Sequence, residues 1–152
     1  MMGGGQQQLQ QLSQELEELD AEIEEKEAEI EEFQDEKAGV DDAIEAIETL
    51  DSGATVQVPL GGGAYVRAEV QDIDEIIVDL GGGYAAEQDR GDAVDALESK
   101  KESLDDRISD VREEITELEE ESAELEQRAQ QMQQQMQQQQ MQQMQQGEDG
   151  GQ

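Results

Sequence analysis

The sequence predicts an α+β fold: a long antiparallel coiled-coil hairpin with two β-hairpins inserted at its base, the β segments serving oligomeric assembly. Three observations predict it. Two apolar seams repeat every 3.5 residues over some forty positions each, which marks a coiled coil rather than an ordinary surface helix. Between them the period drops to 2. Inside that interval the unit Leu-Gly-Gly-Gly occurs twice, at Leu60 and at Leu80, each time between strand-like runs.

Residues 1–8, with three glycines and three glutamines, read as a disordered lead-in. The first helix spans residues 9–50. Its seam is Leu9, Leu12, Leu16, Leu19, Ile23, Lys26, Ile30, Phe33, Lys37, Val40, Ile44 and Ile47, in steps of three and four without a slip. Asp51-Ser52-Gly53 ends it, with Gly53 placed to cap the C-terminus. Residues 54–88 form a double β-hairpin. Val56, Val58 and Leu60 alternate with polar or turn residues, and Pro59 belongs to an edge or strand end. A second strand runs from Tyr65 to Val70, a third carries Ile76, Ile77, Val78 and Leu80, and a short fourth runs from Tyr84 to Glu87. The glycine triplets supply the turns. The second helix spans residues 89–136, with Asp92 as N-cap. Its seam is Val94, Leu97, Lys101, Leu104, Ile108, Val111, Ile115, Leu118, Ser122, Leu125, Ala129, Met132 and Met136. Residues 137–152 form a Gln/Met-rich tail, partly disordered.

Charge selects the partner of each helix. The first seam is flanked by acids such as Glu15, Glu22, Glu29 and Glu36, and the second by Lys100, Arg107, Arg112 and Arg128. In an antiparallel pair facing residues have a constant number sum. A sum of 141 matches Leu9 with Met132, Leu16 with Leu125, Ile30 with Val111, Phe33 with Ile108 and Ile44 with Leu97. It brings Glu36 near Arg107 and Glu15 near Arg128, at the cost of setting Glu29 near Glu114 and Glu22 near Glu121. A slip of one heptad is the competing register. The seam lysines Lys26, Lys37 and Lys101 are expected to pack their stems and direct their ammonium groups to flanking acids.

Composition narrows the function. Forty-two acids stand against nine Lys and Arg, a formal charge of −33, and aromatics are 2% of residues. Phosphate binding requires cations to displace counterions, so nucleic acid is excluded, and an anionic membrane surface with it. The acids coat both helices rather than one tail. At about 1 M salt the Debye length is about 3 Å, so this self-repulsion is screened, and the chain reads as that of an extreme halophile. With no Cys there is no disulfide or thiolate chemistry, and with no His the commonest base and metal ligand is missing. The lack of a long apolar run argues against a signal peptide or membrane span and for a cytoplasmic location. The narrow seams and nearly core-less strands favour an oligomer formed through the β segments.

No catalytic constellation, metal site or cofactor site emerges. Each glycine triplet leads into a strand without a following Lys-Ser/Thr, unlike a phosphate loop. Asp72-Ile73-Asp74 begins like a calcium loop but lacks the Gly and terminal Glu. The methionine tract (Met132, Met136, Met141, Met144) reads in two ways. Either it is a low-complexity tail whose first two methionines finish the seam, or it is a mobile apolar tip. Met141 and Met144 leave the register, and methionine suits varied apolar surfaces. In the antiparallel hairpin this tract lies beside Leu9, Leu12 and Leu16, a geometry suited to holding an unfolded chain.

The order helix, two hairpins, helix resembles the α-class subunits of the archaeal prefoldin family. The segments that carry the resemblance are Val58-Pro59-Leu60-Gly61-Gly62-Gly63-Ala64-Tyr65-Val66-Arg67-Ala68-Glu69-Val70 and Ile77-Val78-Asp79-Leu80-Gly81-Gly82-Gly83-Tyr84-Ala85-Ala86-Glu87. Two hairpins rather than one point to the α class over the β class. The resemblance implies a hexamer of two α with four prefoldin β subunits, whose hairpins join into β-barrels from which six coiled coils hang. It further implies tips that hold unfolded client proteins without ATP and deliver them to a group II chaperonin. On the same basis assembly rests on Val56, Val58, Leu60, Val66, Val70, Ile76, Val78 and Leu80. Client contacts rest on apolar residues near the helix ends: Leu9, Leu12, Leu16, Leu125, Met132 and Met136, with Met141 and Met144. The extreme acidity and the Gln/Met tail depart from the family pattern. A structural coiled-coil spacer, scaffolding through its β platform, is the reading from a different class.

Overall fold

The computed structural model describes residues 3–149. Two long helices, α1 (Gly3–Thr49) and α2 (Arg90–Asp149), flank β1 (Thr55–Gly61), β2 (Ala64–Glu69), β3 (Ile76–Gly81) and β4 (Tyr84–Gln88). The chain divides into two compact units. One joins α1 up to Ile30 with α2 from Ser109; the other is Glu31–Ile108.

In the first unit the two helices pair antiparallel along the seams read from the sequence. Every seam position there is buried or half-buried, with Leu19, Val111, Ile115 and Leu125 at or below 9% exposure, while the flanking residues are exposed. Lys26 Nζ lies 2.6 Å from Glu114 Oε2, a pair of residue numbers summing to 140. The Met136 thioether lies 3.4 Å from where a Cβ would stand on Gly5, a sum of 141. A one-heptad slip would shift these sums by seven, so the register is the 141 alignment.

In that unit α1 begins at Gly3, so residues 3–8 are helical and not the disordered lead-in expected; Met1 and Met2 lie outside the described residues. Gly5 continues the three-and-four step of the seam one position beyond Leu9, and the Met136 side chain packs beside it. Similarly α2 runs through the tail to Asp149, past the expected end at Met136. Glutamine and methionine are good helix formers, which sustains the helix after the seam fades. Residues 150–152 lie outside the described part.

The second unit holds the other helix segments and both hairpins. Lys37 reaches Asp105 at 2.6 Å and Lys101 reaches Asp41 at 2.5 Å, both sums of 142. Val40, Leu104 and Ile108 are the buried seam side chains, and the Arg107 guanidinium sits 5.9 Å above the Phe33 ring. The β segment forms two separate two-stranded antiparallel sheets, β1 with β2 and β3 with β4. Each glycine triplet has positive φ throughout: 99°, 61° and 82° at Gly61–Gly63, and 88°, 63° and 81° at Gly81–Gly83. The last two residues of each triplet form a two-residue turn of the type that matches strand twist. The register shift just before it makes Leu60 and Leu80 bulge positions. No atom lies within 4 Å of a Cβ on Gly62 or Gly63, so conformation rather than space demands glycine there.

Two terminal assignments from sequence are corrected. Gly53 has φ of 89°, yet its N–H donates to the Val70 carbonyl at 2.7 Å, and so begins the hairpin ladder instead of capping α1. The helix end is satisfied from α2: the Arg90 guanidinium donates to the Leu50 carbonyl at 2.7 Å and lies 3.6 Å from Asp51. The N-cap of α2 is Asp89, not Asp92; Asp89 Oδ1 accepts from the Asp92 amide at 2.8 Å, so Asp92 stands three residues inside. Asp72-Ile73-Asp74 is a turn, with Asp72 Oδ1 accepting from the Asp74 amide at 2.9 Å. Ser52 Oγ accepts from the Ile73 amide at 3.1 Å and ties that turn to the end of α1.

Candidate functional site

Two surfaces carry the large exposed apolar side chains: the hairpins and the end of α2. Among the described residues each strand has only one hydrogen-bonded neighbour, so every strand offers a free edge of backbone donors and acceptors.

On the first hairpin, alternation places Val56, Val58, Val66, Ala68 and Val70 on one face, with Val58 opposite Val66 and Val56 opposite Ala68. The opposite face carries Thr55, Gln57, Arg67 and Glu69. Near the base Val56, Ala68 and Val70 are half-buried, whereas near the turn Val58, Val66 and Leu60 stand 41%, 45% and 67% exposed. The first hairpin thus presents an exposed aliphatic face beside an unpaired strand edge.

The second hairpin is used differently. Val78 is only 6% exposed. With Asp79 and Leu80 it lines a groove of about 540 Å³, whose other wall includes Ala96, Leu104 and Arg107 of α2 and Glu36 of α1. Val78 therefore belongs to the chain's own core, and Ile76 is half-buried on the same strand face. Of the eight positions singled out for assembly, Val58, Leu60, Val66 and Leu80 are the exposed ones. Sequence reading passed over Ile77, at 74%, and Tyr65 and Tyr84, at 63% and 76%. Strict alternation was the available signal for Ile77: with Val78 inward, Ile77 must point outward.

In the first unit most of the eight candidate client-contact residues are committed to helix pairing. Leu9, Leu12, Leu16, Met132 and Met136 are half-buried seam residues, and Leu125 is buried. Leu12 and Met132 share a groove of about 300 Å³ rimmed by glutamines, with Glu15 and Arg128 on its walls as the register predicted. Met141 and Met144 differ. They are 70% and 77% exposed and lie past the α2 residues that face the described part of α1. With Gln134, Gln137, Gln138 and Gln140 they line a shallow groove of about 690 Å³.

Charge is less uniform than the overall acidity implies. No charged residue occurs in residues 1–14, 52–66, 80–86 or 129–147. Among the described residues every large exposed apolar side chain except Ile77 falls in one of these stretches. Elsewhere Lys26, Lys37, Lys100 and Lys101 pair with acids of the facing helix. The bond to Glu114 holds the Lys26 ammonium above its usual pKa, with burial opposing and Glu114, Glu29 and Glu22 adding attraction. This lysine offsets the acid-on-acid clash that the register sets between Glu29 and Glu114. The bond to Asp41 raises Lys101 in the same way. Arg107, like Glu36, lines the hairpin groove, and Lys100 lies 3.8 Å from Glu36.

Among the described residues no group of three His, Cys, Asp or Glu side chains is placed to hold a metal ion. No helix among them is long and apolar enough to cross a membrane.

Comparison with known proteins agrees with this architecture. The prefoldin subunit family matches residues 5–146. Prefoldin subunit alpha of Halorubrum lacusprofundi is 76% identical over 112 residues, covering 74% of each chain. That of Halobacterium salinarum is 69% identical over 109 residues, covering 72% of this chain and 71% of the relative. A chain of filamentous PFD from Methanocaldococcus jannaschii, solved by cryo-EM, superposes with a TM-score of 0.52 at 26% identity, over 77% of this chain and 93% of that one. Two long helices flanking paired β-hairpins, with relatives of this kind in halophilic archaea, place the chain in the prefoldin family.

Proposed function

We propose that the chain is the α subunit of a hetero-oligomeric prefoldin that holds non-native proteins without ATP and passes them to a group II chaperonin in the cytoplasm. Two copies would join four β subunits through the hairpins, building β-barrels from the free strand edges. The aliphatic face with Val58 and Val66, together with the exposed Leu60, Leu80, Ile77, Tyr65 and Tyr84, would lie between subunits. Clients would meet the coiled-coil end that carries Met141 and Met144, with Leu9, Leu12, Leu16, Leu125, Met132 and Met136 supporting that end or becoming available as the helices fray.

The observation that carries this reading is the confinement of exposed apolar side chains to the hairpins and the α2 end, almost all within uncharged stretches. Assembly needs the first surface, and holding a client needs the second. A structural spacer would use the hairpins but has no need of methionines exposed on a glutamine helix.

The test is a chain lacking residues 1–15 and 126–152, a cut that keeps the remaining seams in register. Assembled with its partner at molar salt, it should form a complex of the expected stoichiometry yet fail to suppress aggregation of a chemically unfolded protein. Full protection by the shortened complex would place client holding elsewhere and overturn this role of the helix ends.

A further inference from the structure

We infer that β2 is the edge through which the first hairpin takes a strand of its partner chain, and that Arg67 selects that strand by requiring a carboxylate opposite it. The inference rests on the hairpin assembly of the preceding subsection and names the partner's chemistry.

The two edges of the first hairpin are not equivalent. The Val70 N–H donates to the Ala54 carbonyl at 2.9 Å, and the register onward pairs Thr55 with Glu69, Gln57 with Arg67 and Pro59 with Tyr65. Antiparallel pairs alternate between bonded and non-bonded, so these three are the pairs whose backbone groups point out of the hairpin. On the β1 side the outward set ends in Pro59, which has no N–H to give and blunts that edge. On the β2 side Tyr65, Arg67 and Glu69 each offer a donor and an acceptor. A third strand therefore adds to β2.

The same three residues share one face of the hairpin, so an added strand meets their side chains as well as their backbones. Arg67 is exposed and is the one cation in residues 38–89, against twelve acids. Among the described residues none of those acids forms an ion pair with it. Glu69, the acid on its own face, reaches to the hairpin base, where Oε1 lies 4.0 Å from where a Cβ would stand on Gly53. Directly across β1 stands the neutral Gln57. The remaining neighbour of Arg67 is the residue opposite it on the added strand. An Asp or Glu there stabilises the pairing and a Lys or Arg opposes it.

The hetero-oligomeric reading makes the partner chain the source of that strand. A second copy fits less well. Pairing β2 with itself so that Glu69 faces Arg67 aligns only residues 67–69, because β2 ends at Glu69. A partner strand with its own carboxylate can cover all six residues of β2.

The experiment titrates this chain with its partner chain at molar salt and reads assembly by mass. Helicity of each variant, measured first, excludes misfolding as the cause. Arg67→Lys should assemble within about twofold of wild type, Arg67→Gln about threefold more weakly and Arg67→Glu about tenfold more weakly. Gln57→Glu, which adds an acid on the β1 side of the same face, should stay within about twofold. Acids of the partner's hairpin are then replaced one at a time by lysine. One replacement should restore assembly with Arg67→Glu and weaken it with the wild-type chain. The inference is overturned by wild-type assembly of Arg67→Glu, by an equal loss for Gln57→Glu, or by a partner scan with no restoring lysine. Restoration by Glu69→Lys, Asp79→Lys or Glu87→Lys in this chain would seat a second copy on the edge and overturn it too. Each of these results leaves hairpin assembly standing, whereas a wild-type chain that does not join the partner would overturn assembly itself.

Discussion

Lys26 occupies a seam position where an apolar residue would pack better, and its ammonium group lies among Glu22, Glu29 and Glu114. Because its folded-state pKa is raised above the ordinary 10.5, as is that of Lys101, the stabilisation is fully present below 10.5 and lost as pH climbs through the raised value. Helicity followed against pH should therefore fall in that alkaline range. Replacing both lysines by arginine, which stays charged there, should move the fall upward; coincident curves would deny the lysines this role. The glycine turns are a second residue-scale device. With open space around them, Gly62→Ala and Gly63→Ala should each cost about 1–2 kcal/mol purely through the left-handed backbone. A lower urea midpoint of the assembled complex would measure it.

Among the elements, the helix pair was the most legible in sequence because each seam side chain reports its own burial. The unbroken step of three and four from Leu9 to Ile47 and from Val94 to Met136 reappears as the buried stripe of both helices. Helix ends were less legible. Gly53 is the right residue type for a cap, but its role depends on a partner distant in sequence, Val70, and the end of α1 is met by Arg90. At α2 two aspartates three residues apart are both the right type, and the first, Asp89, takes the cap. The hairpins were legible as strands and turns but not in their facing. Val78 appeared to belong outside with Val58, yet it packs inward and leaves Ile77 exposed, since nothing local says which side of a hairpin meets the helices. The register itself is testable by cross-linking, since the native chain has no cysteine. Ile30→Cys with Val111→Cys should form a disulfide on mild oxidation. Ile30→Cys with Leu104→Cys, the one-heptad slip, should not.

At the scale of the whole molecule, acidity and apolar exposure divide the surface between them. The charged stretches keep the chain dissolved and apart from its neighbours, while the neutral stretches on the hairpins and at the helix ends are where contact is affordable at high salt. If the complex assembles through the hairpins as proposed, apolar burial drives it, and assembly should strengthen from dilute to molar salt as the repulsion between acidic chains is screened. Native mass spectrometry or light scattering of the complex, formed with its partner chain at molar salt, tests the central claim most directly. The account predicts two copies of this chain with four of a smaller coiled-coil chain. A stable monomer, or a homodimer that recruits no second chain, would contradict it.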